Sequence, residues 1–491
     1  VLNPAHAKAH HDGDIHIHDL DFLTLTTTCC QIDLIKLFEG GFSTGHGFLR
    51  EPNDIASYSA LACIAIQSNQ NDQHGGQSIP NFDYAMAGGI KKTYKKRYLR
   101  NMERGLALVA GMENSGEFVK DYAAKIFNEK GIIPCLANDN GFQEAEKEYL
   151  LTKIDETMAD KLQSFTAENA YRETNRATYQ AMEALIHNLN TMNSRAGAQT
   201  PFSSINYGTD TSPEGKMVIE NILLAEEAGL GNGETPIFPI HIFKIKEGIN
   251  YNESDPNYSL FKLACRVSAK RLFPNFAFLD APFNKQYYKE GDYRTEIAYM
   301  GCRTRVIGNV YDTDNEIVTG RGNLSFTSIN LPRLAIKADH NVGLFFDMLD
   351  EMMDLTIDQL MHRFHIQCQK KVRNYPFLMG QGVWIGSDAL SADDTVEEVL
   401  KHGTLSVGFI GLAEARELGL EIITAMRERM DLEAKRTGLN FSLLATPAEG
   451  LSGRFVRIDK EKYGVIPGVT DRDYYTNSFH VPVYYPINAF E

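Results

Sequence analysis

The sequence has no run of about 18 apolar residues, the length that a membrane-spanning helix needs, and its first residues form no basic and apolar leader. Cysteine is scarce: the seven present show no CxxC spacing, which argues against a disulfide framework and a zinc ribbon. Positive charge is in deficit, since 49 Lys and Arg face 64 Asp and Glu for a net charge of −15. We therefore expect a cytoplasmic protein with neither DNA nor a membrane as partner. The negative net charge still allows a local basic pocket for a phosphorylated small molecule.

The 491 residues are 43% hydrophobic and 23% charged, as in a globular protein, and their number suits about three average domains or one large α/β barrel. Apolar patterning predicts helices at 53–70, 143–192, 213–228, 340–370 and 394–437, the last interrupted near 403–408. Short runs of strand-forming residues predict strands at 23–35, 203–207, 237–243, 324–329 and 440–444. This alternation favours an α/β fold with a parallel or mixed sheet, closed into a barrel.

A cysteine lies between two turn-rich stretches, in residues 300–304 (MGCRT). This position predicts that Cys302 lies at a loop tip, where a thiolate or thiyl could reach a substrate. The alternative is a small apolar residue buried in a core, as free cysteines often are.

A second candidate motif, residues 320–323 (GRGN), contains two glycines and precedes the strand predicted at 324–329. The glycines allow close approach of the backbone, and Asn323 could offer its amide to a small polar ligand. An ordinary hairpin turn is the alternative interpretation.

Residues 445–453 (ATPAEGLSG) follow the strand predicted at 440–444 and combine proline, glycines and hydroxyls. At a junction from strand to helix, such a segment directs unpaired backbone N–H groups at an anion, which predicts phosphate binding. An ordinary helix N-cap is equally compatible with the pattern.

Histidines are concentrated at the start of the chain, where His16, His18 and Asp19 follow three further histidines. Imidazole and carboxylate are metal ligands, but the spacing fixes no third ligand, so we favour a hydrogen-bonded structural cluster. Two polar, glycine-rich stretches, 41–47 and 70–77, suit the lining of a nucleotide site, although a pair of tight turns would look similar.

Together these motifs resemble those of the anaerobic (class III) ribonucleotide reductases, glycyl-radical enzymes that reduce ribonucleoside triphosphates for DNA precursor synthesis. The resemblance extends from about Gly13 to the end and is carried by residues 16–21, 42–47, 73–76, 300–303, 320–323, 329–333 and 445–450. It implies a single catalytic domain over 1–491. The implied fold is a ten-stranded α/β barrel of two five-stranded half-barrels, with an internal finger loop at about 296–310 and helices around it.

The resemblance also assigns catalytic roles. Cys302 corresponds to the cysteine whose thiyl radical removes the 3′-hydrogen of the substrate and later returns it. Cys29 corresponds to a second redox cysteine, with Cys30 as an open alternative. Asn323 and Met300 match the relatives that use formate as reductant, whereas relatives with a thioredoxin-like reductant depart from this pattern, so formate is expected here.

Binding roles follow from the same resemblance. The substrate phosphates would be held by Thr446, Ala448, Glu449, Gly450, Leu451 and Ser452. Further candidates for the substrate pocket are His46, Gly47, Arg303 and Cys30. Effectors, either dNTP or ATP, would bind near long helices at about 143–228 that also form a homodimer, with Arg195, Gly197 and Gln199 as candidate contacts.

The family's C-terminal glycyl-radical loop and four-cysteine zinc site have no counterpart in the sequence, and neither has its N-terminal ATP cone. We therefore expect a catalytic core whose glycyl radical and structural zinc belong to a region outside this chain, with no metal site in the chain itself. A radical-SAM iron–sulfur activating enzyme would be a partner. The alternatives are another glycyl-radical enzyme, of the pyruvate formate-lyase or dehydratase type, and a nucleotide-binding regulatory subunit without chemistry.

Overall fold

The computed structural model describes residues 1–195, 198–301, 304–415, 418–446 and 450–478. Its α-helices are α1 (Pro4–Asp12), α2 (Leu34–Phe38), α3 (Ile55–Asp72), α4 (Phe82–Ala110), α5 (Ser115–Lys130), α6 (Phe142–Leu150), α7 (Glu156–Thr191), α8 (Pro213–Ala228), α9 (Tyr258–Arg271), α10 (Pro282–Lys285), α11 (Leu331–Ala338), α12 (Val342–Cys368), α13 (Glu397–Leu400), α14 (Gly419–Thr437) and α15 (Leu451–Tyr463).

The strands are β1 (Ile15–Ile17), β2 (Cys30–Gln31), β3 (Phe42–Ser43), β4 (Phe48–Leu49), β5 (Gln77–Ile79), β6 (Ser203–Tyr207), β7 (Ile240–Ile245), β8 (Asn275–Phe278), β9 (Tyr299–Met300), β10 (Thr304–Arg305), β11 (Asn323–Asn330), β12 (Thr404–Ile410) and β13 (Asn440–Ala445). Short 3-10 helices occupy Leu20–Phe22, Tyr293–Thr295, Val372–Asn374, Ser387–Ala389 and Ala413–Ala415. No helix within the described ranges is long and apolar enough to cross a membrane.

Local sequence signals explain where the long helices begin. At α8, Ser212 accepts a hydrogen bond from the Gly215 N–H at 3.0 Å, and Pro213 occupies the first turn. At α7, Asp155 accepts from the Met158 N–H at 2.9 Å. These helices confirm the predictions for 213–228 and 143–192, the latter as two helices, α6 and α7.

The chain divides into two compact units. The first comprises 1–32, 71–76 and 299–491, and its sheet has the order β1-β11-β12-β13. Strands β11, β12 and β13 are parallel, with α11 and α12 in the first crossover and α14 in the second, while β1 is antiparallel to β11. Every residue of β12 is buried, as expected for a central strand.

The second unit comprises 33–70 and 77–298. Its strands β5, β6, β7 and β8 lie side by side in that order and are all parallel. Helices α4, α7 and α8 pack against one another, and α8 also packs against α9. Both units are therefore mixed α/β structures with parallel strands and helical crossovers.

Two secondary-structure predictions were wrong. Within 23–35 the only strand is Cys30–Gln31, and Thr27 forms no more than an isolated bridge to Gln73, while the hydroxyls of Thr26 and Thr28 contact His74 and the Leu324 carbonyl. Within 394–437 the expected interruption of a helix is instead strand β12. The sheets of the described residues also do not confirm a single ten-stranded barrel.

A buried histidine–carboxylate pair connects α8 and β7 in the second unit. Glu226 Oε2 lies 3.5 Å from His241 Nε2, and the Tyr207 hydroxyl lies 2.9 Å from His241 Nδ1. Burial raises the pKa of Glu226 to about 8 and lowers the pKa of His241 to about 3. At neutral pH the pair is therefore uncharged, with the proton on Glu226.

This protonation makes stability depend on pH. Because the folded pKa of Glu226 exceeds its unfolded value, its stabilisation is full below pH 4.5 and is lost as pH rises through 8. From pH 6.5 to 8 the free energy of unfolding should fall by up to about 1.4 kcal/mol per pH unit more than in Glu226→Gln, because the contribution of His241 is common to both proteins and cancels. Urea unfolding at several pH values measures this difference. Glu220→Gln, an exposed position on the same helix, should follow the unsubstituted protein, and parallel curves for Glu226→Gln would contradict the assignment.

Candidate functional site

Main-chain hydrogen bonds bring two of the sequence motifs together in the first unit. The Cys29 N–H donates to the Asn323 carbonyl at 3.1 Å, and the Gln31 N–H donates to the Arg321 carbonyl at 2.9 Å. At Gly322 a Cβ would overlap the carbonyl of Cys29, so only glycine fits there. The 320–323 motif is thus the place where the backbone of Cys29 meets Asn323.

Met300 extends this junction. Cys29, Met300 and Val306 form one buried cluster, in which Met300 is 2% and Cys29 5% exposed. Met300 also pairs with Thr304 across the antiparallel strands β9 and β10. Cys302 and Arg303, between these strands, lie outside the described residues.

Asn323 is buried and its amide is oriented by a row of hydroxyls. Ser406 Oγ donates to Asn323 Oδ1 at 3.1 Å and lies 2.7 Å from Ser442 Oγ. Since the amide oxygen accepts from Ser406, the amide nitrogen is the group suited to donate to a small anionic ligand. Ser406 and Ser442 were missed by sequence reasoning, because single serines in strands carry no signal.

Arg321 stabilises the irregular segment that follows β10. Its buried guanidinium donates to the carbonyls of His402, Ile307, Ile317 and Gly308 at 2.8 to 3.0 Å. Burial lowers the pKa of Arg321 to about 10, which leaves the group charged at neutral pH. Its function, also missed from sequence, is to fix the position of segment 307–317.

Cys30 has a different environment from Cys29. It has no exposed surface, and burial raises the pKa of its thiol well above the usual value. Of the two cysteines, only Cys29 belongs to the cluster with Met300, and Cys30 lies in β2. Cys30 is therefore a neutral core thiol.

The candidate phosphate loop begins where β13 ends. Thr446 is buried, with its hydroxyl 2.6 Å from that of Ser328. The two hydroxyls meet over Gly408 of β12, where a Cβ would overlap both oxygens. Ala448 and Glu449 lie outside the described residues.

The loop leads into α15. Gly450 precedes the helix with φ 71° and has no side chain that could cap the first turn. The side chain of Leu451 is packed in a core cluster with Phe455, so only its backbone could contact a ligand. Ser452 is buried at the same helix end. Phosphate binding by 445–453 stays a prediction, which a helix N-terminus at this place is compatible with.

The early histidines form the hydrogen-bonded cluster that we favoured. His18 Nε2 is 2.9 Å from Ser328 Oγ, and His10 Nδ1 accepts from the Ile17 N–H at 3.1 Å. The part of the chain that the structure describes contains no group of three His, Cys, Asp or Glu side chains placed to hold a metal ion.

The stretch 70–77 is buried, as predicted, and part of it connects segments of the first unit. Asp72 accepts from the N–H groups of Phe377 and Leu378 at 2.8 Å each, and burial raises its pKa to about 6. His74 Nε2 lies 3.2 Å from Asp19 Oδ2. These contacts join 72–74 to Asp19 and to 377–378 within the first unit, and a part of the stretch in a nucleotide site stays a prediction.

The stretch 41–47 is not the buried lining that we expected. His46 and Gly47 lie at the exposed tip of the β3–β4 hairpin in the second unit, which confirms the tight-turn alternative. Their part in a substrate pocket stays a prediction.

The candidate effector residues follow α7 in the second unit. Arg195 NH1 donates to Gln199 Oε1 at 3.1 Å, and the backbones of the two residues are hydrogen-bonded in both directions. Arg195 also lies over the Phe202 ring at 5.7 Å. Gly197 lies outside the described residues. No observation assigns a ligand to this turn, so effector binding also stays a prediction.

Comparison with known proteins gives a consistent result. The family model described as "Anaerobic ribonucleoside-triphosphate reductase" matches residues 1–491. The enzyme of that name from Enterobacteria phage T4 is 32% identical over 498 residues, covering 99% of this chain and 72% of the phage protein. That from Escherichia coli (strain K12) is 30% identical over 508 residues; the match covers 99% of this chain but only 62% of the bacterial protein.

Solved structures agree at the level of the fold. A chain titled "Anaerobic ribonucleotide reductase" has a TM-score of 0.61 at 13% identity, covering 96% of this chain and 65% of that one. The anaerobic ribonucleotide reductase from Thermotoga maritima with glycerol in the active site gives 0.59 at 14% identity, covering 97% and 68%. The same enzyme in complex with dATP and CTP gives 0.55 at 12% identity, covering 97% and 68%.

Proposed function

The chain belongs to the anaerobic ribonucleoside-triphosphate reductase family, a family of oxidoreductases, and we propose that it contains the site where the ribonucleotide is bound and reduced through a thiyl radical. One observation carries the proposal: Cys29, Met300 and Asn323, far apart in sequence, meet in one buried junction. The phosphate-loop candidate begins on the same sheet, at Thr446.

Cys302 is the proposed radical residue. Its thiyl would remove the 3′-hydrogen of the ribose, because the S–H bond is comparable in strength with that C–H bond, and would return the hydrogen at the end. Cys29 would supply hydrogen for the step in which the 2′-hydroxyl leaves. The burial of Cys29 and Met300 supports this assignment, since such a radical must be protected from water. Arg303 stays a candidate for contact with substrate.

Formate is the proposed reductant. A carboxylate as small as formate could accept hydrogen bonds from the Asn323 amide nitrogen, whose orientation Ser406 determines. Met300, beside Cys29, completes the pattern of the formate-dependent relatives.

The substrate phosphates would bind at the start of α15. Thr446, Ser452 and the backbone of residues 448–451 would surround them, and the partial positive charge of the helix N-terminus would favour the anion. Along β11, Asn323 and Ser328 are about 16 Å apart at strand spacing. This span accommodates a sugar at one end and a phosphate chain at the other.

Further parts of the proposal come from the family. The two units would form one catalytic domain and a ten-stranded barrel, which is supported by the parallel sheet and helical crossovers that each unit has by itself. Effectors such as dATP, which the Thermotoga maritima enzyme binds in a specificity site, would contact Arg195, Gly197 and Gln199. A homodimer through the long helices is also part of the proposal.

The radical itself requires components besides the residues described. A glycyl radical, made by a radical-SAM iron–sulfur activating enzyme and held near a structural zinc site, would supply the oxidising equivalent for Cys302. A cytoplasmic location suits this chemistry, and the described cysteines are all free thiols.

Nucleotide binding tests the proposal directly. CTP at 100 times its dissociation constant should stabilise the chain by about 2.7 kcal/mol, seen as a rise in melting temperature. In the activated holoenzyme, labelled formate should yield labelled carbon dioxide together with deoxycytidine triphosphate. Pyruvate or a diol, the substrates of other glycyl-radical enzymes, should do neither. Stabilisation by those compounds but not by CTP would contradict the proposal.

A further inference from the structure

The glycine-rich motif 73–76 (QHGG), which has no role in the function proposed above, lies beside the threonines that precede Cys29. Thr27 and Gln73 form an isolated parallel bridge. Two main-chain hydrogen bonds join the segments: the His74 N–H donates to the Thr27 carbonyl at 3.3 Å, and the Gly75 N–H donates to the Thr28 carbonyl at 2.6 Å. The motif thus pairs with residues 27–28, and this pairing ends one residue before the proposed redox cysteine.

Side chains reinforce this pairing within the first unit. Gln73 Nε2 donates to Thr27 Oγ1 at 2.7 Å. At Gly75 a Cβ would overlap the Thr28 carbonyl, so the close approach of the two backbones requires glycine. Thr28 Oγ1 also donates to the carbonyl of Leu324 in β11 at 3.0 Å. The two threonines are therefore joined both to the motif and to the start of β11.

His74 extends the contact to Thr26 through its side chain. Thr26 Oγ1 lies 2.7 Å from His74 Nδ1, and Asp19 Oδ2 lies 3.2 Å from His74 Nε2. The imidazole also stacks on the Phe22 ring, with the two ring centroids 4.8 Å apart. Because both nitrogens and one face of this buried ring have neighbours, the orientation of the imidazole is fixed.

Asp19 is suited to hold the imidazole because its carboxyl group stays ionised. Burial would raise the pKa of this carboxyl, but His74, His18 and Arg363 outweigh burial and lower the pKa. The backbone of Asp19 has φ 51°, a left-handed conformation that persists where the surroundings hold it. Arg363 of α12 contributes to this by donating to the neighbouring His18 carbonyl at 3.0 Å. Asp19 is thus a carboxylate in a fixed position.

We propose that His74 is a positioning residue for Cys29: together with Asp19 it holds residues 26–28 in place, so that the Cys29 thiol stays beside Met300. This inference rests on the proposed function, which gives Cys29 its role in the reduction. His74 acts through the threonines and does not itself react. Because a displacement of about 1 Å can slow a reaction about 100-fold, loosening of this segment should impair catalysis while the substrate still binds.

Thr26→Val and Thr26→Ser form a matched pair that tests this role. Valine is similar in shape to threonine but cannot contact His74 Nδ1 through a hydroxyl, whereas serine retains that hydroxyl. In the activated holoenzyme, Thr26→Val should lower kcat by about 10- to 100-fold and leave KM for CTP unchanged. Thr26→Ser should retain most of the activity. Thr24→Val, a change at a half-buried threonine two residues earlier, should behave like the unsubstituted enzyme.

Alkylation of Cys29 by iodoacetamide, followed by peptide mass spectrometry, gives a readout that does not depend on activity. In the unsubstituted chain the Cys29 residue is 5% exposed and its thiol should react slowly. Thr26→Val should raise the rate several-fold, because the thiol is then no longer held in its buried cluster, whereas Thr26→Ser should not. The exposed Cys265 should react at one rate in all variants and serves as the reference.

His74→Phe is a second variant in case Thr26→Val does not fold. Phenylalanine can still stack on Phe22 but lacks both nitrogens, so this variant should show the same loss of kcat and the same exposure of Cys29. Full activity of Thr26→Val with slow alkylation of Cys29, or an equal loss of activity in Thr26→Ser, would overturn the positioning role. An unsubstituted holoenzyme without reductase activity, in which Thr26→Val still exposes Cys29, would refute the proposed function alone.

Discussion

Replacement of Cys29 by alanine is expected to lower deoxyribonucleotide formation in the activated holoenzyme by about 10³-fold or more, as loss of a chemically essential group does. Cys30→Ala should retain most of the activity. The two residues are neighbours, but Cys29 packs against Met300 and meets Asn323, whereas Cys30 is a fully buried thiol with a raised pKa. Cys30→Ala is thus a matched control for Cys29→Ala, with the same substitution at the adjacent position.

Product formation and CTP affinity should be measured together in both variants. Cys29→Ala should bind CTP normally, because the thiol acts on the ribose and not on the phosphates. Cys302→Ala should be as inactive as Cys29→Ala, and for the same reason should still bind CTP. An active Cys29→Ala together with an inactive Cys30→Ala would reverse the assignment, and full activity of Cys302→Ala would favour a subunit without chemistry.

Helices were the part of the fold that the sequence predicted best. The pattern at 213–228 agrees with α8 at both ends, because Ser212 and Pro213 are local start signals and the buried face repeats at helical spacing. Strand β12 was missed because its residues are buried on both faces, so no alternation marks it as a strand. Its Gly408 looked like a helix breaker, yet it is required by the Ser328 and Thr446 hydroxyls above it.

The residues of the candidate site could be predicted only where they belong to a recognisable sequence motif. Asn323 and Met300 were identified by resemblance, whereas Ser406 and Arg321 depend on contacts between segments about 80 residues apart, which spacing cannot reveal. The same limit explains why 41–47 was expected to be buried, since a polar, glycine-rich stretch has the same composition as an exposed hairpin. Buried ion pairs also could not be predicted from the sequence, because the tertiary fold determines which charged groups meet.

The ion pair of Lys244 and Glu296 is such a case in the second unit. Lys244 Nζ lies 3.0 Å from both Glu296 Oε2 and Asn81 Oδ1, and the Thr209 hydroxyl donates to Glu296 at 2.6 Å. Both charged side chains are almost fully buried. Asp83 is also buried here; burial and Asp210 raise its pKa to about 6, while Lys244 opposes the rise. Lys244 therefore balances several carboxyl groups.

Lys244→Met is expected to lower the free energy of unfolding by about 3–5 kcal/mol, because it leaves Glu296 buried without a counter-charge. Lys244→Met combined with Glu296→Gln should recover much of the loss, so a double-mutant cycle by urea unfolding should give a large coupling energy. Lys147→Met, which removes the exposed ion pairs with Glu156 and Asp160, should cost less than about 1 kcal/mol per pair. Because Glu296 begins the predicted finger loop six positions before Cys302, the single variant should also lose activity before it unfolds. A loss no larger than that of Lys147→Met would show that the pair does not hold the start of this loop.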